Sequence, residues 1–397
     1  MEKLTEKSNK SILSVQYPYQ RDVIGKINWD WRMNGIIGAR GTGKTTLLLQ
    51  KLQEFRAKGH EVLYVRLDDL YFVDHRIYDL ADTFRKNGGE YLYLDEVHKY
   101  PGWARELKNI YDSKPELKLV FSGSSIIELT KQDADLSRRA LMYEMTGLSF
   151  REYLLMSDII SLTGYQLKEI FRDHLEIASG IVSRIPVLKH FSTYLKSGFY
   201  PYFLEAERDY FTTLEQIIST VLETDLRFIE NFDIAQGRKM LTLLKVIAAS
   251  VPFKPNISKI SQKTDLHRQT VLLYLQYLEK ARMIKLVNQP ERYISRLQKP
   301  DKIFLDNPNL FYALNPEIVN TGNLRETFAL NQLSVNHDVF LHNSADFLVD
   351  NKFVIEIGGK NKDRKQVRDH TGSYIFQDNI EMGHNNRIPL WLLGFLY

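Results

Sequence analysis

The sequence predicts an α/β architecture built on a parallel sheet, with further helical and mixed segments after it. Three observations point there. A short apolar stretch, Gly35-Ile36-Ile37, runs into Gly38-Ala39-Arg40-Gly41-Thr42-Gly43-Lys44-Thr45, and residues 46–55 then read as a helix closing near Gly59. A second apolar stretch from Glu90 ends in Asp95-Glu96, roughly fifty residues downstream of the glycine-rich loop. Residues 61–67 and 117–121 have the short apolar character of further strands in the same sheet.

The first element is a strand, a glycine-rich loop and a helix N-terminus, which together make an anion site. Glycines let backbone N–H groups turn inward, and the helix dipole adds favourable potential for phosphate. The spacing fits G-x-x-x-x-G-K-[ST], so residues Gly38, Ala39, Arg40, Gly41, Thr42, Gly43, Lys44, Thr45 and Thr46 are candidates for holding a nucleoside triphosphate. Lys44 is placed to reach the β- and γ-phosphates, and Thr45 to ligate Mg²⁺. At the end of the acidic strand, Asp95 is the candidate for Mg²⁺, directly or through water. Glu96 is the candidate for polarising an attacking water. The strand at 117–121 runs into Ser122-Gly123-Ser124-Ser125, where Ser124 or Ser125 is placed to contact a γ-phosphate; a helix N-cap is the other use of such serines. Further on, Arg138-Arg139 supplies a candidate arginine finger, in cis or from a neighbouring subunit, or else belongs to a solvated loop.

Composition narrows the classes. A chain of 397 residues is long enough for two or three domains. Its 44% hydrophobic and 26% charged content is that of a globular protein, and a net charge of +4 is too small to argue for nucleic acid by itself. No apolar run nears the roughly 20 residues of a membrane span, and the N-terminus lacks an apolar signal core, so a cytoplasmic protein with no membrane partner is expected. With no cysteine, disulfides, thiolate zinc sites and cysteine nucleophiles are excluded.

Several of these segments resemble one family. The glycine-rich loop with Thr46-Leu47-Leu48, the run Leu94-Asp95-Glu96-Val97-His98-Lys99-Tyr100-Pro101-Gly102-Trp103, Phe121-Ser122-Gly123-Ser124-Ser125, and Arg139-Ala140 followed by Gly147-Leu148-Ser149-Phe150-Arg151-Glu152-Tyr153-Leu154 are similar to the AAA-type ATPase domain of a widespread prokaryotic family. That family joins the domain to a C-terminal domain of unknown function. The resemblance implies ATP and Mg²⁺ as ligands. It implies Lys44 and Thr45 for phosphate and metal, Asp95 for metal, Glu96 for water activation, Ser124 as γ-phosphate sensor and Arg139 as the arginine. The family usually has Gly-Arg where this chain has Arg138-Arg139. Guanine selectivity is unsupported, because no N/T-K-x-D element follows at a suitable distance.

On this reading residues 1–148 form the P-loop ATPase core and 149–238 a helical lid broken by Gly198-Phe199-Tyr200-Pro201. Residues 239–295 have the look of a winged helix-turn-helix. Met240, Leu241, Leu243, Leu244, Ile247 and Ala248 share one face, and His267-Arg268-Gln269-Thr270 starts a helix suited to a major groove. Winged helices also dock proteins, so DNA or a partner protein is expected there. Residues 296–397 form a last α/β domain. Asp346 on one strand and Glu356 ten residues later on the next resemble a PD-(D/E)XK nuclease pair, a second candidate metal site, with Glu326 as an added helical acid. The usual lysine position is Gly358, with Lys360 as a substitute, which favours a scaffold or binding surface over an active nuclease. Lys360, Lys362, Arg364, Lys365 and Arg368 form a basic run suited to a phosphate backbone or to a solvated face. The expected function is an ATPase whose nucleotide state controls engagement of DNA or a partner. The rivals are an ATP-gated nuclease and a non-catalytic nucleotide-held switch.

Overall fold

The computed structural model describes residues 1–124, 136, 138–206, 208–228, 232–250, 252–290, 299–315, 317, 319–359 and 372–397. The chain divides into two compact units, one of Met1–Thr146 with Thr220–Gly237, the other of Gly147–Ser219 with Arg238–Tyr397.

In the first unit, β1 (Met33–Gly38), β2 (Val62–Arg66), β3 (Tyr91–Asp95), β4 (Lys118–Ser124) and β5 (Leu141–Glu144) form one parallel sheet in the order β2-β3-β4-β1-β5. The strand β4 therefore lies between the glycine-rich-loop strand and the acidic strand. Helices cover both faces, so β1 and β3 are buried throughout and read as mostly apolar runs, interrupted by Asn34 in β1 and closed by Asp95 in β3. The period of two decides which face each residue serves. Ile36, Tyr64, Tyr91, Tyr93 and Val120 join the core under the helix Lys44–Ala57, while Ile37, Leu63, Val65, Leu92, Leu94 and Phe121 join the core under the helices Ile77–Lys86 and Trp103–Ser113. The helices Ile77–Lys86 and Trp103–Ser113 go beyond the sequence reading, as do the edge strand β5 and an N-terminal helix, Glu2–Ser14, that packs on β2.

In the second unit the segment after Thr146 opens with a helix, Phe150–Met156, whose start is a reciprocal cap. Ser149 Oγ accepts from the Glu152 amide at 3.1 Å, and Glu152 Oε2 accepts from the Ser149 amide at 3.2 Å. Helices Leu167–Val182 and Val187–Ser197 follow, the second ending at Gly198. Further along, Ile257–Thr264 and Arg268–Lys280 precede an antiparallel pair, β6 (Ile284–Val287) and β7 (Lys302–Leu305). Met240, Leu243, Leu244, Ile247 and Ala248 are buried, and Leu241 is half-buried. The last sheet holds β8 (Val339–Leu341), β9 (Phe347–Val349), β10 (Phe353–Gly358), β11 (Ser373–Gln377) and β12 (Arg387–Pro389) in the order β12-β11-β10-β9-β8. Its β8, β9 and β10 run antiparallel, and β10, β11 and β12 parallel. Side chains from 150–195, from β6 and β7 and from this sheet meet in one apolar core that includes Phe150, Phe191, Val287, Phe304, Phe328, Phe347 and Phe376.

Phe328, fully buried on the helix Thr321–Leu333, sits edge-on to Phe191 with centroids 4.9 Å apart. Phe328→Ala should cost about 3–5 kcal/mol, read as a lowered denaturation midpoint with an unchanged slope.

Candidate functional site

The glycine-rich loop leaves β1 at Gly38 and enters the helix Lys44–Ala57 through two left-handed glycines, Gly41 (φ 86°) and Gly43 (φ 92°). Gly38 is required for another reason: a Cβ there would stand 2.2 Å from the Met145 carbonyl oxygen, because β1 and the chain after β5 run side by side. Within the loop, Thr42 Oγ1 donates to the Ala39 carbonyl at 2.9 Å. Lys44 Nζ donates to the carbonyls of Gly38 (3.0 Å) and Ala39 (2.8 Å). Burial lowers the Lys44 ammonium pKa, opposed by the carboxylates of Glu96, Asp95 and Asp225.

Asp95, at the end of β3 and almost wholly buried, is the hub. Its Oδ2 accepts from Thr45 Oγ1 at 2.7 Å and from the Tyr64 hydroxyl at 2.7 Å, and its Oδ1 from Ser122 Oγ and from the Glu96 amide at 3.1 Å. Burial, then the adjacent carboxylate, raises the Tyr64 phenol far above its ordinary pKa, so it stays a donor. Thr45 and Asp95 thus present two oxygens side by side, the hard donor set that Mg²⁺ takes.

Glu96 turns the chain with a left-handed backbone (φ 58°, ψ 41°), a conformation that costs a non-glycine residue on the order of 1 kcal/mol. Its Oε2 lies 3.5 Å from both His98 Nε2 and Lys99 Nζ. Ser124 ends β4 on the same side as Ser122, and its amide donates to His98 Nδ1 at 3.4 Å. Lys44, Thr45, Asp95, Glu96 and Ser124 are therefore gathered at the C-terminal edge of the sheet, in reach of one phosphate chain. Thr46, half-buried, follows the exposed Thr45 in the first helical turn.

Arg139 is not brought to this edge. Its guanidinium forks onto Asp112 (Nε–Oδ1 2.9 Å, Nη2–Oδ2 3.0 Å), and its carbonyl accepts from Trp31 Nε1 at 3.1 Å. Asp112 is near the end of the helix Trp103–Ser113, and Leu141 pairs with Asn34 near the start of β1. Arg139 thus stands at the opposite edge of the sheet, about 20 Å from Gly38 at a strand rise of about 3.3 Å per residue. Arg138 is exposed. Ser125 and the run Asp135 and Ser137 lie outside the described residues.

Sequence reading passed over four contributors. Arg21, buried, donates to the Thr42 carbonyl at 3.1 Å and to the Thr146 carbonyl at 3.0 Å, bracing the loop. Tyr64 and Ser122 donate to Asp95. Asp225 pairs with Arg40 of the loop at 3.2 Å. Only Ser122 had a local signal, its two-residue spacing from Ser124.

In the second unit Glu356 lies within β10, but Asp346 is not on a strand as expected: it stands in the bend just before β9. The register Ile355↔Phe347 places them across from each other, and Asp346 Oδ2 accepts from the Ile357 amide at 2.7 Å. Glu356 is buried, and Glu326 is held by Lys302 at 2.6 Å. Lys302 and Asp346 line one cavity of about 300 Å³ with Lys254, Asp301 and His342. Lys360, Lys362, Arg364, Lys365 and Arg368 lie outside the described residues.

Residues 30–154, which hold the parallel sheet of the first unit, the glycine-rich loop and the acidic strand, match the AAA domain family. Residues 188–321 match a domain of unknown function (DUF8612). An uncharacterized protein of Methanocaldococcus jannaschii, MJ1637, is 26% identical over 287 residues, which span 69% of this chain and 60% of that protein, less than two thirds of its length. Among solved structures, AMPPCP-bound DnaA from Aquifex aeolicus is 17% identical over 70% of this chain and 88% of that one, with a TM-score of 0.30. DnaA bound to AMPPCP and single-stranded DNA is 17% identical over 69% and 86%, with a TM-score of 0.29. Among the described residues, no helix is long and apolar enough to cross a membrane.

Tyr64→Phe removes a buried donor to Asp95 and should cost about 1–3 kcal/mol, measured by denaturant unfolding at neutral pH.

Proposed function

We propose that this chain is a Mg²⁺-dependent ATPase whose nucleotide state controls engagement of DNA or a partner protein. One observation carries the proposal: Thr45 and Asp95 meet at 2.7 Å at the end of two strands separated by β4, with Glu96 next in the chain. When bound at Thr45 and Asp95, Mg²⁺ would supply charge to the β- and γ-phosphate oxygens of ATP. Lys44 exchanges the Gly38 and Ala39 carbonyls for phosphate oxygens, and the loop amides orient the chain of phosphates. Glu96 polarises the attacking water, and Ser124 lies close enough to sense the terminal phosphate. Arg139, at the far edge of the sheet, then serves a nucleotide only in trans, on a neighbouring copy.

The nucleotide state acts on the second unit. We assign the helices Ile234–Ala248, Ile257–Thr264 and Arg268–Lys280 with β6 and β7 to a winged helix, a reading supported by the antiparallel pair and by a bridge from Phe253 to Ile303. His267, Arg268 and Gln269 are exposed at the start of the helix Arg268–Lys280, as groove-reading residues must be. We assign the nuclease-like sheet a binding rather than a catalytic role, because the position two residues after Glu356 holds Gly358 in place of a lysine.

Purified protein with Mg²⁺ should hydrolyse ATP. Lys44→Ala should lose nucleotide binding, while Glu96→Gln should keep binding and lose about a hundredfold or more in kcat. Duplex or single-stranded DNA should raise turnover, Arg268→Ala should blunt that rise, and Glu356→Ala should leave it intact. ATP binding without turnover under every condition would replace the ATPase by a nucleotide-held switch. Metal-dependent DNA cleavage lost in Glu356→Ala would restore the nuclease.

A further inference from the structure

The stretch Thr220–Gly237 belongs to the first unit, although the chain on either side of it belongs to the second. What this excursion brings to the P-loop is Asp225. Its side chain is 1% exposed, on a short turn, Asp225–Phe228, that packs against the turn Val97–Lys99 and is anchored by the buried Leu222 and Leu226. Arg40 Nη1 donates to both Asp225 oxygens, at 3.3 and 3.2 Å. On the other side, His98 Nε2 stands 4.0 Å from Asp225 Oδ1 and 3.5 Å from Glu96 Oε2, while His98 Nδ1 accepts from the Ser124 amide. Burial would raise the Asp225 carboxyl, but His98 and Arg40 outweigh it and hold the pKa below the ordinary value. A buried anion is thus fixed between the crest of the phosphate loop and the residues read as water activator and γ-phosphate sensor.

We infer that Asp225 is the residue by which this site tells a nucleoside triphosphate from a diphosphate. The inference rests on the nucleotide reading above. A γ-phosphate delivered to the loop is a second anion for the Arg40 guanidinium, and it meets the Asp225 carboxylate as a like charge in a poorly solvated place. Arg40 changes partners, Asp225 is left with His98 alone, and the turn that carries it loosens. A diphosphate ends short of Arg40 and leaves the pair intact. Because the chain leaves this turn toward the second unit in both directions, its loosening is the signal of the triphosphate state. Asp225 is a positioning residue: it acts on the phosphate through Arg40 and on Glu96 through His98.

The test measures binding of AMPPNP and of ADP, each with Mg²⁺, to the full-length wild type, Asp225→Asn, Arg40→Gln and Lys44→Ala. Hydrogen exchange is followed in parallel over residues 221–227. Asp225→Asn keeps the shape and one accepting oxygen but removes the negative charge and with it the repulsion, so AMPPNP should bind about tenfold more tightly while ADP moves by less than about threefold. Arg40→Gln should lose the preference for AMPPNP over ADP and should exchange fast at 221–227 without nucleotide. In the wild type, AMPPNP but not ADP should speed that exchange. Equal changes for both nucleotides in Asp225→Asn, or exchange at 221–227 indifferent to AMPPNP, overturns the inference and leaves the nucleotide reading standing. A wild type that binds neither nucleotide, like Lys44→Ala, overturns both. Arg40→Gln, altered on a partly exposed side chain, keeps the test decisive if Asp225→Asn fails to fold.

Discussion

Asp95 is the constraint around which the first unit is organised. A carboxylate with almost no exposure is expensive to bury unless each oxygen is satisfied. Here four donors arrive from four elements: Thr45 from the first helical turn, Tyr64 from β2, Ser122 from β4, and the amide of Glu96. Removing any one leaves part of a buried charge unpaired, so these elements are held in mutual register by electrostatics as well as by the apolar layers on either side. The same network fixes Thr45 beside Asp95.

Strand order explains what the site includes and what it leaves out. Parallel strands send all their C-terminal ends to one edge, so the loop after β1, the acids after β3 and the serine ending β4 converge although they are far apart in sequence. The residues just before β5 are delivered to the other edge, which is why Arg139 meets Asp112 and Trp31 rather than the phosphate loop. Strain is concentrated where chemistry is read: Glu96, a non-glycine residue in the left-handed region, ends the acidic strand.

The second unit follows a different logic. Its segments share one aromatic-rich core, so Phe150 and Phe191 from the helical part, Phe304 from β7, and Phe328 and Phe376 from the last α/β part depend on one another for burial. Asp346 and Glu356 are aligned by antiparallel register, but each is already engaged within the fold, Asp346 by a backbone amide. Glu326 is engaged by Lys302 from the preceding strand pair.

The P-loop, the helix after it and the short apolar strands were legible in the linear chain because each is a local pattern: glycines where positive φ is needed, and apolar runs where both sheet faces are covered. Lys44, Thr45, Asp95 and Glu96 could be singled out for the same reason, since each sits at a fixed offset from such a pattern. The partners of Asp95 and Arg40 could not. Tyr64 is one tyrosine among 22, and Asp225 lies 185 residues from Arg40 in a stretch that reads as plain amphipathic helix. The edge strand β5 was hidden by its brevity, four residues that are never fully buried. The sequence by itself determined which residues can cradle a phosphate and which strands can be buried, because backbone conformation and burial period are local properties. Only the tertiary structure decided which charges meet, because pairing Asp225 with Arg40, or Arg139 with Asp112, depends on where strand order and chain return deliver them.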